Sequence, residues 1–224
     1  MKTAYVFGAS GEIGSSIVSK FASQDYHVSS FSRHFEPNRF HSIENLDESI
    51  NTLEPADCVV WASGANLNDS INDYEKSKLD YLLEANLYYV VDSLSKLKNL
   101  NLLKQDCNLV IISSVWQDFS KQNKFSYTVS KSAVSGLIHS LAADLSPSGI
   151  RVNGVLPGVV DTEMTRAALT SQQIELIQTQ TPTGELVSLK SVAELVFFLC
   201  APESKGVNGQ SIVVDGGWSV VRYV

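Results

Sequence analysis

The sequence has few cysteines and no long apolar run. Cys58, Cys107 and Cys200 are its only cysteines, an odd number with no metal-like spacing. We therefore expect buried thiols in a reducing compartment rather than a disulfide framework. No apolar run reaches the roughly 20 residues of a membrane-spanning helix, and residues 4–7 are too few for a signal peptide. These absences predict a cytoplasmic protein that does not enter a membrane.

Positive charge is also scarce. The chain carries 17 Lys and Arg against 24 Asp and Glu, a net charge of -7. A negative surface repels polyanions, which argues against nucleic-acid and anionic-membrane partners. The length of 224 residues predicts one domain, residues 1–224, with a sizeable core. There is no repeat, low-complexity tract or linker to divide it.

Glycines concentrate near the amino terminus. After the short apolar run of residues 4–7 comes the loop Gly8-Ala9-Ser10-Gly11-Glu12-Ile13-Gly14, followed by an amphipathic segment. This order of strand, glycine turn and helix leaves backbone N–H groups free at a helix N-terminus, where a pyrophosphate is stabilised. Gly8 permits the tight turn, and Gly14 lets the helix approach the strand. We interpret the loop as a dinucleotide site, with an ordinary strand-to-helix turn as the alternative.

The second predicted strand, residues 27–31, ends at Ser32 and Arg33. In dinucleotide-binding folds an acidic residue after this strand binds a free 2′-hydroxyl, whereas an arginine favours a 2′-phosphate. There is no acid here, and His34 and Arg39 add positive charge. Arg33 therefore predicts NADP(H) rather than NAD(H), unless it is an ordinary surface arginine.

Apolar runs and amphipathic segments alternate along the rest of the chain. The expected strands are residues 40–43, 57–62, 109–112, 150–156 and 211–214, and the expected helices are residues 46–53, 77–100, 162–180 and 192–199, with one more through Tyr127 that ends before Pro147. Such alternation predicts an α/β Rossmann fold, a doubly wound parallel sheet of about seven strands with helices on both faces.

Small and polar residues follow several of these strands. Ser63-Gly64 after residues 57–62 form a turn that lets a ligand approach the backbone. Ser114 follows residues 109–112, at the carboxyl end of a strand where ligands bind in open α/β sheets. Asn86 stands alone among the apolar positions of the long helix, where a satisfied core amide is the simpler interpretation.

Tyr127 and Lys131 lie one helical turn apart, so their side chains share a face. A free tyrosine has a pKa of roughly 10, and a neighbouring cation lowers it. The pair is a candidate general acid/base, although most such pairs are surface accidents.

Taken together, these motifs resemble the short-chain dehydrogenase/reductase family over essentially the whole chain. The matching features are Tyr127-x-x-x-Lys131, Ser114 thirteen residues before the tyrosine, Asn86, Asn153-Gly154-Val155-Leu156-Pro157-Gly158 and Val214-Asp215-Gly216-Gly217. The resemblance implies a catalytic tetrad of Asn86, Ser114, Tyr127 and Lys131. The cofactor contacts it implies are Gly8, Ser10, Gly11, Glu12, Ile13, Gly14, Ser32, Arg33, Ala62, Ser63, Gly64, Tyr127, Lys131, Pro157, Gly158, Val160 and Thr162.

The resemblance also implies roles. Ser114 would donate to the substrate carbonyl, Tyr127 would transfer the proton, and Lys131 would hold the nicotinamide ribose. Asn86 would kink its helix and position a water. Residues 181–194 are similar to 3-oxoacyl-[acyl-carrier-protein] reductases, which implies NADP(H)-linked reduction of a ketone, such as an acyl thioester. A sugar, polyol or other secondary alcohol, and a non-catalytic dinucleotide-binding regulator, stay open as alternatives.

The expected assembly is a homotetramer, with a dimer as the alternative, because the long helix has surplus apolar residues and the tail 218–224 is apolar. The surplus residues are Leu82, Tyr88, Tyr89, Leu97 and Leu100.

The chain departs from the family pattern at three places. Its loop glycines fall at relative positions one, four and seven, with Glu12 at the fifth, where the family usually has glycine. Trp61-Ala62-Ser63-Gly64 replaces the usual Asn-Asn-Ala-Gly, and the third-strand region is short. The glycine spacing resembles the family's longer, epimerase-like branch, but the short chain and its Asp-Gly-Gly ending argue against that branch.

Overall fold

A computed structural model describes residues 1–32, 41 and 53–221 of the chain. Six strands in these residues form one parallel sheet in the order β2-β1-β3-β4-β5-β6. The strands are β1 Lys2–Phe7, β2 Tyr26–Phe31, β3 Ala56–Trp61, β4 Leu103–Ile112, β5 Arg151–Pro157 and β6 Ser211–Val214. The predicted parallel sheet is confirmed, with six strands in place of about seven.

The seventh strand was predicted at residues 40–43. Only His41 of that segment lies among the described residues, and it pairs in parallel with Phe31 at the edge of β2. The predicted helix 46–53 and Arg33 likewise lie outside the described residues, apart from Leu53 at the end of that helix.

Helices cover both faces of the sheet. They are α1 Glu12–Ala22, α2 Lys76–Leu83, α3 Tyr89–Asn99, α4 Phe125–Leu145, α5 Glu163–Ala168, α6 Ser171–Gln180 and α7 Leu189–Cys200. Tyr5 and Phe7 of β1 pack with α3 and α4, whereas Ala4 and Val6 pack with α1 and α7. Because both faces of each central strand are covered, the strands appear in the sequence as continuous apolar runs. In the part of the chain that is described, no helix combines the length and the apolar character needed to cross a membrane.

The predicted helix 77–100 is interrupted. A π-helical turn, Glu84–Tyr88, separates α2 from α3. Such turns are rare and frequently occur at functional sites. Asn86 lies inside this turn, at the position where the sequence resemblance implied a kink.

The predicted helical region 162–180 is also divided. Thr170 caps the N-terminus of α6 through a reciprocal hydrogen-bond pair with Gln173. This cap starts a second helix after the short α5. Strand β4 begins at Leu103, six residues before the predicted start, because its first half is polar and lies outside the core.

Candidate active site

The glycine loop joins β1 to α1 at the carboxyl edge of the sheet. Gly8 has a φ of +79° and its N–H donates to Phe31 O at 2.9 Å. A Cβ atom on Gly8 would lie 2.5 Å from Ser63 N, and one on Gly14 would lie 2.1 Å from Gly8 O. Both glycines are therefore required by close backbone approach, as the sequence predicted.

The same loop leaves the N-terminus of α1 accessible. Gly11 occupies the N-cap position without a side-chain cap, and a Cβ there would meet only Gly8 O, at 3.5 Å. The first-turn residues Glu12 and Ile13 thus present backbone N–H groups without a capping side chain, which suits a phosphate. Ser10 Oγ and Ser32 Oγ are 2.8 Å apart, so the loop is tied to the end of β2.

The Glu12 side chain bonds to the segment that follows β5. Its carboxylate accepts a hydrogen bond from Glu163 N, at 3.0 Å to one oxygen and 3.2 Å to the other. Thr162 Oγ1 accepts from Thr165 N at 3.1 Å and so caps α5. The glycine loop and the segment after β5 are therefore in direct contact, a contact between residues 151 positions apart that sequence reasoning did not find.

The turns after β3 and β5 complete the floor of the site. Ala62 N donates to Phe7 O at 2.8 Å, and Gly158 N donates to Val214 O at 3.0 Å. Val160 pairs with Val187 in a parallel bridge, and Pro157 is the last residue of β5. Ser63 Oγ is buried and has no hydrogen-bond partner among the described residues.

The Asn86 side chain connects the turn after β3 to α4 through hydrogen bonds. Its side-chain amide accepts from Ala65 N at 2.8 Å and donates to Ala65 O at 3.1 Å and to Ser130 Oγ at 2.9 Å. With the side chain only 2% exposed, these bonds fix both segments. A Cβ on Gly64 would lie 2.9 Å from Asn86 Oδ1, so a larger residue there would displace the amide.

The Ser114 side chain lies close enough to Tyr127 to lower the pKa of its hydroxyl. Ser114 is the N-cap of a 3₁₀ turn, Val115–Gln117, whose Trp116 N donates to Ser114 Oγ at 3.3 Å. The turn and α4 thus place a serine and a tyrosine hydroxyl together at the carboxyl end of β4.

Lys131 is buried beneath the tyrosine. Its Nζ lies 5.8 Å from the centroid of the Tyr127 ring and donates to Ile112 O at 3.3 Å. Burial lowers the pKa of Lys131 to about 8. Burial also raises the pKa of Tyr127, and the nearby Ser114 side chain only partly opposes this rise. The structure therefore does not show the lowered tyrosine pKa expected from the sequence, because desolvation outweighs the opposing effect of Ser114.

One residue of the site was missed by sequence reasoning. Lys124 precedes α4, and its Nζ lies 5.2 Å from the centroid of the Tyr127 ring. The sequence signal was its position three residues before Tyr127, at the N-cap of the same helix.

The arrangement fits a nicotinamide dinucleotide. The uncapped N-terminus of α1 suits its pyrophosphate, while the unpartnered Ser63 hydroxyl and the Lys131 ammonium offer donors to its sugar.

Comparison with known proteins agrees with this geometry. A family model described as "Enoyl-(Acyl carrier protein) reductase" matches residues 40–219. The 3-oxoacyl-[acyl-carrier-protein] reductase FabG of Salmonella typhimurium is 31% identical over 182 residues, 80% of this chain and 74% of that protein. Dehydrogenase/reductase SDR family member 6 of Rattus norvegicus is 29% identical over 181 residues, 78% of this chain and 74% of that protein.

A solved structure is also similar throughout. The short chain dehydrogenase family protein from Francisella tularensis superposes with a TM-score of 0.88 at 26% identity, covering 99% of this chain and 100% of that one. The fold and the site thus define an NAD(P)-dependent oxidoreductase. The chain belongs to the short-chain dehydrogenase/reductase family.

Proposed function

We propose that this enzyme interconverts a ketone and a secondary alcohol with NADP(H), using Asn86, Ser114, Tyr127 and Lys131. The observation that carries the proposal is the proximity of the Ser114 and Tyr127 side chains, with the Lys131 ammonium 5.8 Å from the centroid of the tyrosine ring. A substrate carbonyl oxygen that accepts from both hydroxyls is held where negative charge develops.

The four residues have distinct roles. The bound nicotinamide supplies or accepts the hydride. Ser114 donates to the carbonyl oxygen, and Tyr127 gives its proton in reduction or takes one in oxidation. Lys131 favours the phenolate that Tyr127 becomes after proton transfer, because an opposite charge nearby favours the ionised form. Asn86 positions the other groups by holding the turn at Ala65 against α4.

The proposed cofactor contacts follow the loops at the carboxyl edge. The first-turn N–H groups of α1 bind the pyrophosphate. Lys131 and Ser63 bind the nicotinamide ribose, and Ser32 with Arg33 binds the adenosine end, where Arg33 selects a 2′-phosphate. The turn at Pro157 and Gly158, with Val160 and Thr162 after it, borders the nicotinamide. Ala62 and Gly64 let the backbone approach the cofactor.

The proposed substrate is a 3-oxoacyl thioester of the acyl-carrier-protein type. The 31% identity to FabG supports this class. Dehydrogenase/reductase SDR family member 6 is 29% identical, almost as similar as FabG. A sugar, polyol or other small secondary alcohol therefore stays the second candidate. We also propose a single-domain cytoplasmic enzyme without nucleic-acid or membrane partners, in agreement with its net charge of -7.

The proposed assembly is a homotetramer, with a dimer as the alternative. Of the surplus apolar residues, Leu82 and Leu97 are buried within the subunit, which corrects the expectation for these two. Tyr81, Tyr88 and Val91 on the α2–α3 segment and Val129 on α4 remain exposed and supply the apolar surface. A light-scattering mass equal to the single-chain 24.5 kDa would reject both assemblies.

A turnover screen tests the reaction and the substrate class. The purified enzyme with NADPH is offered acetoacetyl thioesters, simple ketones and ketoses, with loss of NADPH absorbance as the readout. The proposal expects the thioesters to be reduced with the highest kcat/KM. Turnover of ketoses alone would favour the second candidate, and no turnover of any carbonyl would contradict the proposed reaction.

A further inference from the structure

A second buried lysine lies beside the proposed catalytic tyrosine. Lys124 is 7% exposed, and its Nζ is 5.2 Å from the centroid of the Tyr127 ring, against 5.8 Å for Lys131. Two ammonium groups therefore lie within 6 Å of one aromatic ring. The role proposed for the site uses only Lys131, so Lys124 needs a separate explanation.

The Lys124 ammonium has one donor to spare. It donates to Asn66 Oδ1 at 2.6 Å and more weakly to Leu67 O at 3.5 Å. An ammonium carries three protons, and the third has no partner among residues 1–32, 41 and 53–221. In the same residues no carboxylate forms an ion pair with Lys124.

Asp69, the acidic residue that affects the pKa of Lys124, already accepts hydrogen bonds from another residue. Asp69 accepts from Ser126 N at 2.9 Å and from Ser126 Oγ at 2.5 Å, so its carboxylate stabilises the start of α4. Burial lowers the pKa of Lys124, and the charge of Lys121 lowers it further, whereas Asp69 opposes both. A buried ammonium without a carboxylate partner is costly, and this one has a free donor beside the site.

The surroundings carry local positive charge in an acidic protein. Lys121, Lys124 and Lys131 all lie near the site, although the chain has a net charge of -7. Lys121 Nζ lies 5.4 Å from the centroid of the Trp116 ring, and Trp116 lies in the 3₁₀ turn that Ser114 caps. A small anion entering this side of the site meets cations and aromatic rings.

We propose that Lys124 is a substrate-specificity residue that binds a carboxylate of the substrate. The proposal rests on the proposed function, because it assumes that Ser114 and Tyr127 bind the reacting carbonyl. Lys124 lies against the same tyrosine. The carboxylate that it binds and the reacting carbonyl therefore belong to one substrate with a short carbon chain. The same site would therefore also accept a short oxo acid, which carries the ketone of the proposed thioester and a carboxylate in place of the thioester group. A thioester places a neutral carbonyl oxygen at the same point, and a charged donor binds it less strongly than an ionised carboxylate.

The test compares an acid with its matched neutral ester. Acetoacetate and methyl acetoacetate are reduced with NADPH by the parent enzyme and by Lys124→Met. Loss of one charged hydrogen bond should lower kcat/KM for acetoacetate by about 10- to 100-fold. The ester should change by less than about 3-fold, because a neutral oxygen gains less from the ammonium. Lys124→Arg keeps the charge and should retain most of the preference for the acid.

Asn66→Ala is the matched control for a structural role. It removes the 2.6 Å acceptor of Lys124 but keeps the ammonium. If Lys124 serves only to hold the turn at Asn66, this variant reproduces the effect of Lys124→Met. If Lys124 binds the carboxylate, the ratio of acid to ester turnover is unchanged in Asn66→Ala.

Each other outcome is decisive. Equal losses for acid and ester in Lys124→Met would overturn the proposal. Reduction of neutral ketones and esters without reduction of acetoacetate would leave the proposed reductase function standing and reject the carboxylate site. If no carbonyl is reduced, the reductase function fails, and calorimetric titration of acetoacetate into the NADP⁺-loaded enzyme decides the site. Binding that does not depend on Lys124 would then reject the proposal as well.

Discussion

The two edges of the sheet differ in whether their buried polar groups are hydrogen-bonded within the chain. At the amino edge, Arg151 begins β5 and donates to Leu199 O, Ser204 O and Val207 O at 3.0, 2.8 and 2.7 Å. Asp57 there accepts from Thr3 N at 2.7 Å and from Lys104 Nζ at 2.8 Å. At the carboxyl edge, the buried oxygens Ser63 Oγ, Ser113 Oγ and Gln117 Oε1 have no partner among the described residues.

This difference suggests that the polar groups of the amino edge stabilise the fold, whereas those of the carboxyl edge bind ligands. An unsatisfied buried polar group costs free energy, so it persists where a ligand completes its hydrogen bonds. The amino edge holds an open groove of about 520 Å³, lined by Lys2, Asp57, Arg151 and other residues. Its Asp57 and Arg151 are already hydrogen-bonded within the chain. The size of a concavity is therefore a poorer guide to this site than the unused donors and acceptors around it.

The largest expected effect is at the carboxyl edge. Tyr127→Phe keeps the ring and removes the hydroxyl that lies near Ser114. We expect turnover to fall by at least the roughly 10²-fold typical of a lost general acid. The melting temperature should change little, because the hydroxyl belongs to the edge where polar groups serve ligands. Steady-state kinetics and thermal unfolding measure both quantities, and unchanged turnover would contradict the assigned role of Tyr127.

The reverse pattern is expected at the amino edge. Arg151→Met removes the donors to the carbonyl groups that end α7 and follow it. Leaving buried carbonyls unpaired should lower the free energy of unfolding by about 2–4 kcal/mol. The kcat of the folded protein should stay within about 2-fold, since surface and core changes far from a site rarely alter its chemistry. Urea unfolding measures the stability, and a large fall in kcat at unchanged stability would break the comparison of the two edges.

Much of the fold was predictable because its causes are local. The buried strands of a parallel sheet appear as apolar runs, and the helices appear as amphipathic segments between them. The Gly8 turn was also predictable, since only glycine tolerates a φ of +79° with another backbone 2.5 Å from its would-be Cβ. The spacing of Ser114, Tyr127 and Lys131 led to a cluster that the structure brings together.

What escaped prediction depends on contacts between distant segments. A kink at Asn86 was implied by the family resemblance alone. Its π-helical form coincides with the bonds between Asn86 and Ala65, 21 residues apart, and nothing near Asn86 in the sequence signals that form. The bond from Glu163 N to Glu12 spans 151 residues. The rise of the Tyr127 pKa also escaped, because the degree of burial follows from packing rather than from the neighbouring lysine. Tertiary burial therefore decided the electrostatics that sequence spacing only suggested.

Lys131 should weaken the fold that contains it. The residue is only 4% exposed, and burial lowers the pKa of its ammonium from 10.5 to about 8. At pH 7 the lysine is charged in both the folded and unfolded states, so the folded state bears the desolvation cost. Between pH 8 and 10.5 the unfolded chain binds more protons than the folded one, so this cost is relieved as pH rises.

Lys131→Met tests this cost. The variant should be more stable than the parent by about 1–3 kcal/mol at pH 7. The difference should shrink toward zero as pH approaches 10.5, the ordinary lysine value. Urea unfolding at several pH values measures it, while turnover of the variant should be lost. A variant that is less stable at pH 7 would show that the bond to Ile112 O outweighs desolvation.

The smallest expected effect concerns the cofactor. Arg33 directly follows Ser32 in the sequence, and Ser32 comes just after the carboxyl end of β2, so we expect the charge of Arg33 to serve the cofactor. A guanidinium binds a phosphate through two hydrogen bonds, so the parent should bind NADPH more tightly than NADH. Arg33→Ala should raise the dissociation constant of NADPH by about 10-fold, the effect of losing one charged contact. The dissociation constant of NADH should change by less than about 2-fold. Fluorescence titration of both cofactors measures this. Arg39→Ala, six residues further along the sequence, serves as the control. A general loss of positive charge would lower the affinity for NADPH similarly in both variants. A parent that prefers NADH would contradict the assignment of Arg33, and so would an Arg33→Ala variant that keeps the full preference for NADPH.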